Sequence, residues 1–213
     1  MRKRNIALIL AASMMATFAF GGTTTFAAEE GKTDSVTVGI MADPENMGPW
    51  SGMSQGRIAV LFTTYEYLLT RENGVAYGVL AKNWEAVDPK TYDVELYDYI
   101  HDAAGNPLTA SDVVFSFESA IATKNYGKLS VIDSVTAIDD YHVEFKFNKD
   151  LEIGEFENVM LECAIVTQAA YEASPDQMAT TPVGTSAYLV ESYVPGSEVV
   201  MKDTGNYWQT DES

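Results

Sequence analysis

The chain has 213 residues, with 13 Lys and Arg against 31 Asp and Glu, a formal net charge of −18. Such a surface repels nucleic acid and anionic lipid, so neither is expected as a partner. Hydrophobic residues at 46% suffice for a folded core, and the single cysteine, Cys163, excludes an intrachain disulfide.

The N-terminus reads as an export signal. Arg2, Lys3 and Arg4 form a positive head, and Ile6 to Phe20 is mostly apolar. That run of about 15 residues suits a secretory signal and is short for a membrane span. Thr25-Phe26-Ala27 places small residues around a cleavage point after Ala27. Residues 1–27 are therefore expected to be a signal peptide and 28–213 the mature chain.

Ser35 to Met41 alternates as a first strand, followed by a loop rich in Asp43, Pro44, Asn46, Gly48 and Pro49. Gln55 to Leu69 reads as a helix with Ile58, Phe62, Tyr65 and Leu69 along its buried face. Ala81–Val87 and Thr91–Tyr97 form a hairpin around Asp88-Pro89-Lys90, with Tyr92, Val94 and Leu96 on one side. Gly105-Asn106-Pro107 is turn chemistry. Thr109-Ala110-Ser111-Asp112 then places a hydroxyl before a helix and an acid in its first turn. Asp is a weaker partner in that capping box than Glu or Gln. Val113, Val114, Phe117 and Ala120 or Ile121 continue one apolar face.

Val131–Ile138 and Tyr141–Phe147 read as a second hairpin, turning at Asp139-Asp140. Tyr141, Val143, Phe145 and Phe147 point inward; His142, Glu144 and Lys146 point outward. Glu155–Met160 is a short helix, Cys163–Val166 a short strand, and Gln168–Ala173 another helix. Ala187–Tyr193 and Glu198–Lys202 pair across Pro195-Gly196. The sum is an α+β chain with much antiparallel pairing.

No catalytic constellation emerges. His101 beside Asp102 and near Ser111 evokes a hydrolase triad, but no G-x-S-x-G elbow presents the serine. His142 falls on an outward strand face. Two distant histidines and a cysteine in an apolar context do not make a zinc site. Asp43-Pro44-Glu45-Asn46 lacks calcium-loop spacing. No phosphate-binding glycine motif occurs. No enzyme activity, metal or cofactor is expected.

The run Pro107-Leu108-Thr109-Ala110-Ser111-Asp112-Val113-Val114-Phe115-Ser116-Phe117 resembles the signature of family 5 extracellular solute-binding proteins. That signature reads F-H-D-G-x-P-L-T-A-x-D-V-V-F-S. Here Ile100-His101-Asp102-Ala103-Ala104-Gly105-Asn106-Pro107 carries two extra residues at the turn tip, where insertion costs least. Further pieces resemble the family in order. They are Tyr65-Glu66-Tyr67-Leu68-Leu69, Leu80-Ala81-Lys82-Asn83-Trp84-Glu85, Thr91-Tyr92-Asp93-Val94-Glu95-Leu96 and Ile138-Asp139-Asp140-Tyr141-His142-Val143. Val183-Gly184-Thr185-Ser186-Ala187-Tyr188 and Asn206-Tyr207-Trp208 complete the series, with Ser186-Ala187 replacing Gly-Pro and Thr204-Gly205 replacing Asn-Pro.

The resemblance implies an α/β-type periplasmic binding protein, class II-like. On that basis the chain is a mixed-sheet lobe with antiparallel hairpins, incomplete, with the second lobe missing. It implies the binding component of an ABC importer, capturing extracytoplasmic oligopeptides and delivering them to permease subunits. Nickel complexes and oligosaccharides are alternative ligands, and a non-binding remnant or accessory interaction domain is the alternative role. The family's ligand-facing loops place Met41, Ala42 and Asp43 at the site, with Asn125 and Tyr126 after the signature helix. Tyr126 either stacks on or bonds a ligand, or is an ordinary half-buried tyrosine. A monomer is expected once a second lobe completes the fold. The implied location is the periplasm or the outer face of the membrane. Ser13 in Leu10-Ala11-Ala12-Ser13 stands where a lipid-anchored relative would carry cysteine.

Overall fold

The computed structural model describes residues 35–209. The expected signal peptide and its cleavage site lie outside them. The chain divides into two units, 1–38 and 39–213. In the first, only Ser35–Val38 are described, and they form no regular element. Apart from the segment 35–41, which runs from the first unit into the second, all that follows concerns the second.

The expected strand from Ser35 to Met41 is not formed. Alternation supplies a pattern, but a strand needs a neighbour for its backbone groups. Among the described residues none pairs with this segment.

Helix α1 (Gln55–Thr64) is shorter than its apolar pattern predicts, because Tyr65 turns to extended backbone and caps it. Ser54 opens it, its hydroxyl accepting the Arg57 amide at 3.3 Å. The buried face is also different. Gly56, Val60, Leu61 and Thr64 face inward, while Ile58 and Phe62 stay exposed. Glycine decides this: a Cβ at Gly56 would lie 2.4 Å from the Asp43 carbonyl oxygen and 2.6 Å from that of Ala42. The chain entering the domain therefore lies directly on the small-residue side of the helix.

A hairpin that the apolar pattern did not suggest follows, β1 (Leu69–Glu72) against β2 (Val75–Gly78). Asn73 and Gly74 both take positive φ, 52° and 82°, as the tightest hairpin turn requires. Asn-Gly was the available signal.

The central sheet holds β3 (Ala81–Asp88), β4 (Thr91–Leu96), β5 (Ile132–Ala137) and β6 (His142–Phe147) in the order β3-β4-β6-β5. All pairings among the described strands are antiparallel. One face carries Tyr92, Val94, Leu96, Val143, Phe145 and Phe147, all buried as the period-two reading expects. Helix α2 (Ala110–Thr123) covers β5 and β6, with Phe117 edge-on to Phe145 at 4.9 Å. Helix α3 (Ile153–Met160) starts earlier than its sequence pattern indicated and inserts Phe156 flat against Tyr92, ring centres 4.2 Å apart. Fully burying such a ring contributes roughly 3 kcal/mol.

Helix α4 (Gln168–Ala173) matches its expected bounds. The segment before it does not form the expected strand Cys163–Val166; only one bridge, Glu66 to Ile165, survives. Its backbone groups are satisfied instead by side chains. The Trp50 indole donates to the Ala164 carbonyl at 3.0 Å, and Ser116 bonds both the N–H and C=O of Val166. A β-like sequence without a sheet beside it becomes a strap.

The last ribbon is β7 (Tyr188–Val194) with β8 (Glu198–Asp203). It forms a small second core in which Val190 joins Met47 and Val60. Before it, Gly184 packs so tightly that a Cβ would lie 2.0 Å from the Thr64 carbonyl oxygen. After it, Tyr207 and Trp208 both donate to the Glu66 carboxylate, at 2.6 and 2.8 Å. Burial raises the Glu66 pKa, against the pull of those two bonds.

Candidate functional site

The loop from Asp43 to Gly52 has no regular structure, yet its carbonyls are held one by one. Arg57 reaches back from α1 to donate to Pro44 at 2.9 Å and Ser51 at 2.7 Å. The Tyr65 hydroxyl donates to Met47 at 3.0 Å. The Asn125 amide donates to Trp50 at 2.9 Å, and the Tyr126 hydroxyl to Pro49 at 3.4 Å. The Met47 N–H completes the set by donating to Ala179 at 2.8 Å. Each bond is worth about 1 kcal/mol, and together they fix a segment that composition alone would leave loose.

The expected site residues fall at the two ends of this loop. At its start, Met41 and Ala42 are exposed. Asp43 is bound into the fold: its carboxylate accepts the Tyr193 hydroxyl, the Gly196 N–H and the Glu45 N–H. The Tyr193 bond, with the Gly196 amide, holds the Asp43 pKa below its usual value. At its end, Asn125 bonds the loop from just beyond α2. Tyr126 is 8% exposed, with its ring in the main core. Here it supports the loop, its hydroxyl donating to the Pro49 carbonyl. Burial raises its pKa.

Between the two ends lies a cleft of about 210 Å³. Asn46, Gly48, Pro49, Trp50 and Ser51 form one wall, and Thr123, Tyr171, Asp176 and Gln177 the other. Trp50 and Tyr171 stand 5.0 Å apart where the two walls meet, and both pack on Phe115, which does not itself line the cleft, so the floor is this aromatic pair. Asp176 supplies the only formal charge among the lining residues. Its carboxylate is turned to its own chain, accepting from Thr180 and Ser174, and those bonds lower its pKa.

Arg57, Trp50 and Tyr171 were not among the residues singled out from sequence, and Tyr65 was named there only for its helix face and family segment, not as a site residue. A basic residue inside an otherwise apolar helix was the available hint for Arg57. Nothing local marks Tyr171, whose role depends on where α4 lands. A second, broader depression of about 420 Å³ lies among Ala86, Asp88, Pro89, Tyr92, Leu151, Glu152 and Ile153. Neither depression is lined by Met41, Ala42, Asp43, Asn125 or Tyr126, but only the first is walled by the loop those residues flank; in the second, Asp88 is turned to the Lys90 N–H of its own hairpin at 2.7 Å.

The hydrolase arrangement does not assemble. His101 contacts the Asp102 backbone carbonyl at 3.0 Å, and the Asp102 carboxylate is spent on Ala104, Asn106 and Thr167. Among the described residues, no group of three or more His, Cys, Asp or Glu is placed to hold a metal ion.

Residues 76–213 match the family described as bacterial extracellular solute-binding proteins, family 5 Middle. The chain belongs to this family. Among curated relatives, the nickel-binding protein NikA of Staphylococcus aureus is 28% identical over 142 residues, covering 66% of this chain and 28% of that protein. The periplasmic murein peptide-binding protein MppA of Escherichia coli is 22% identical over 194 residues, covering 79% of this chain and 36% of MppA. Among solved structures, the oligopeptide-binding protein AppA of Bacillus subtilis, in complex with a nonapeptide, superposes with a TM-score of 0.68 at 20% identity. That match covers 78% of this chain and 35% of AppA. The fold is that of the family 5 binding proteins, and this chain spans about a third of the length of the relatives it matches.

Proposed function

We propose that residues 28–213 form the N-terminal lobe of an exported solute-binding component of an ABC importer, and that its solute is an oligopeptide. The observation that carries the ligand class is the lining of the cleft. Gln177 and the amide nitrogen of Asn46 offer neutral donors and acceptors beside Trp50 and Tyr171, while the Ser51 and Thr123 hydroxyls, already bonded to neighbouring backbone, keep the lining uncharged. Peptide main chain needs such partners, and it makes no demand on side-chain identity. Met41, Ala42 and Asp43 do not line the cleft itself and would border one end of the ligand path outside it. Asn125 and Tyr126 would set the loop that faces it. Permease subunits are the proposed partner downstream, after closure of a second lobe. Residues 1–27 are proposed to be removed on export, and an intact mass beginning at Ala28 tests that.

The ligand reading is tested by titrating the isotope-labelled chain with a mixture of tri- to pentapeptides while recording amide shifts. One lobe alone should bind in the millimolar range, about 4 kcal/mol. Shifts should concentrate at Asn46–Ser51, Thr123 and Tyr171. Parallel titrations use a nickel–histidine complex and a short oligosaccharide. Shifts with either of these and none with peptide would overturn the ligand class. No shifts with any of the three would overturn binding by this chain.

A further inference from the structure

The signature helix and the cleft are joined by a piece of chemistry that neither explains alone. Three consecutive residues where the strap runs into α4, Val166, Thr167 and Gln168, are each gripped by one polar side chain from the segment 101–117. Ser116 holds Val166 through both backbone groups, at 3.1 and 3.2 Å. Asp102 accepts the Thr167 hydroxyl at 2.5 Å. Asp112 accepts the Gln168 N–H at 2.8 Å. Asp102, Ser116 and Thr167 are buried, so the bonds to Val166 and Thr167 form away from bulk water, whereas the Asp112–Gln168 bond lies at the surface.

Asp112 divides its carboxylate between two tasks. Oδ2 accepts the Thr109 N–H at 2.8 Å and the Thr109 hydroxyl at 2.9 Å, which caps α2. Oδ1 fixes the first amide of α4. Helix α4 has six residues, too short to hold its own direction, and it carries Tyr171 into the cleft floor against Trp50. This accounts for the weak acid in the capping box. A Glu would cap α2 at least as well, but its extra methylene would carry the second oxygen away from Gln168.

We propose that Asp112, with Ser116 behind it, is a positioning residue for the cleft. It sets the entry of α4 and thereby the seat of Tyr171 against Trp50, without touching a ligand itself. That the cleft receives a ligand rests on the function proposed above. The placement of Tyr171 does not.

The test uses the full chain and three variants, Asp112→Glu, Asp112→Asn and Ser116→Ala. Asp112→Glu keeps the helix cap, so its melting temperature should stay within a few degrees of the parent. Its Gln168 amide should exchange with solvent at least tenfold faster, and the Tyr171 ring and Trp50 indole resonances should move. Ser116→Ala should speed exchange at Val166 while leaving the α2 cap amides unchanged. An unchanged Gln168 exchange rate and unchanged ring resonances in Asp112→Glu would overturn the proposal. Should Asp112→Glu fail to fold, Asp112→Asn decides. With one carboxylate oxygen replaced by NH₂, either the cap amides or Gln168 must lose protection, and protection of both overturns it. The peptide titration is then repeated on Asp112→Glu. Weaker peptide shifts alongside the moved rings are the expected result. Moved rings in a chain that binds no peptide would sink the ligand reading alone and leave the positioning role standing.

Discussion

Two irregular segments, 101–109 and 41–52, are both fastened by side chains, and they differ in where those side chains come from. The first is held largely by its own chemistry. Asp102 accepts Ala104 and Asn106 within one turn, and Asp112 accepts Thr109 three residues away. The second is held partly by Arg57 and Tyr65, within 18 positions, and at both ends by Asn125, Tyr126, Tyr193 and Gly196, which lie 75 or more positions along the chain. A short-range fastening leaves a sequence signature, because the residues that bond are neighbours. A long-range fastening leaves none, because its meaning exists only after folding. The segment with the legible motif is scaffold. The segment that frames the cleft reads only as a loop.

The largest test of this contrast is Asp102→Ala. It leaves the Ala104 and Asn106 amides and the buried Thr167 hydroxyl without their acceptor, and should cost about 3 kcal/mol in denaturant unfolding. A loss under ~1 kcal/mol would mean that water replaces the carboxylate and that this segment is not the rigid one.

Gly56→Ala asks whether the distant fastening is firm. In an ordinary helix the change gains up to ~1 kcal/mol. Here the new Cβ meets the carbonyls of Ala42 and Asp43, so a net loss of about 1 to 2 kcal/mol is expected. A gain in stability would show that residues 42–43 move aside at little cost.

On the open face of the sheet, Glu85, Asp93 and Glu144 stand directly opposite one another on β3, β4 and β6. Like charges in register oppose pairing. Asp93→Asn should raise stability by about 0.5 kcal/mol, and added salt should shrink the gain. An unaltered midpoint at low salt would mean that Lys82 and Lys146, paired with Glu95 and Glu144, already balance the ladder.

The smallest effect is local. The Tyr193 and Gly196 bonds hold the folded Asp43 pKa below the ordinary aspartate value, so those bonds are at full strength above that ordinary value. They are lost as pH falls through the lowered pKa, and the Gly196 amide resonance should titrate there. Glu66 has the opposite sign. Its pKa is raised above 4.5, so the folded state takes up a proton first, and stability declines as pH rises through that window. A Gly196 amide that does not respond below pH 4 would remove Asp43 from the ribbon turn.

Much of the fold was legible. The alternation in Thr91–Leu96 and Tyr141–Phe147 marked the buried sheet face, because period two maps directly onto one side of a strand. Gln168–Ala173 and the hairpin at Pro195-Gly196 carried their own stop signals. The candidate site was legible only at its edges. Asn125 could be named, yet not that it donates to Trp50. The helical face of α1 was misread because apolar spacing counts large side chains, and the packed side here belongs to Gly56 and Val60.

The sequence by itself determined the β3–β4, β5–β6 and β7–β8 hairpins, the α2 cap and the family, since these rest on contacts between near neighbours or on motifs read in order. The tertiary structure alone decided that Cys163–Val166 is a strap and that Ser35–Met41 forms no strand. It also decided that an aromatic floor joins Trp50 to Tyr171. The physical reason is the same in each case. Backbone groups and ring faces are satisfied by whatever folding brings beside them, and their sequence position does not carry that information.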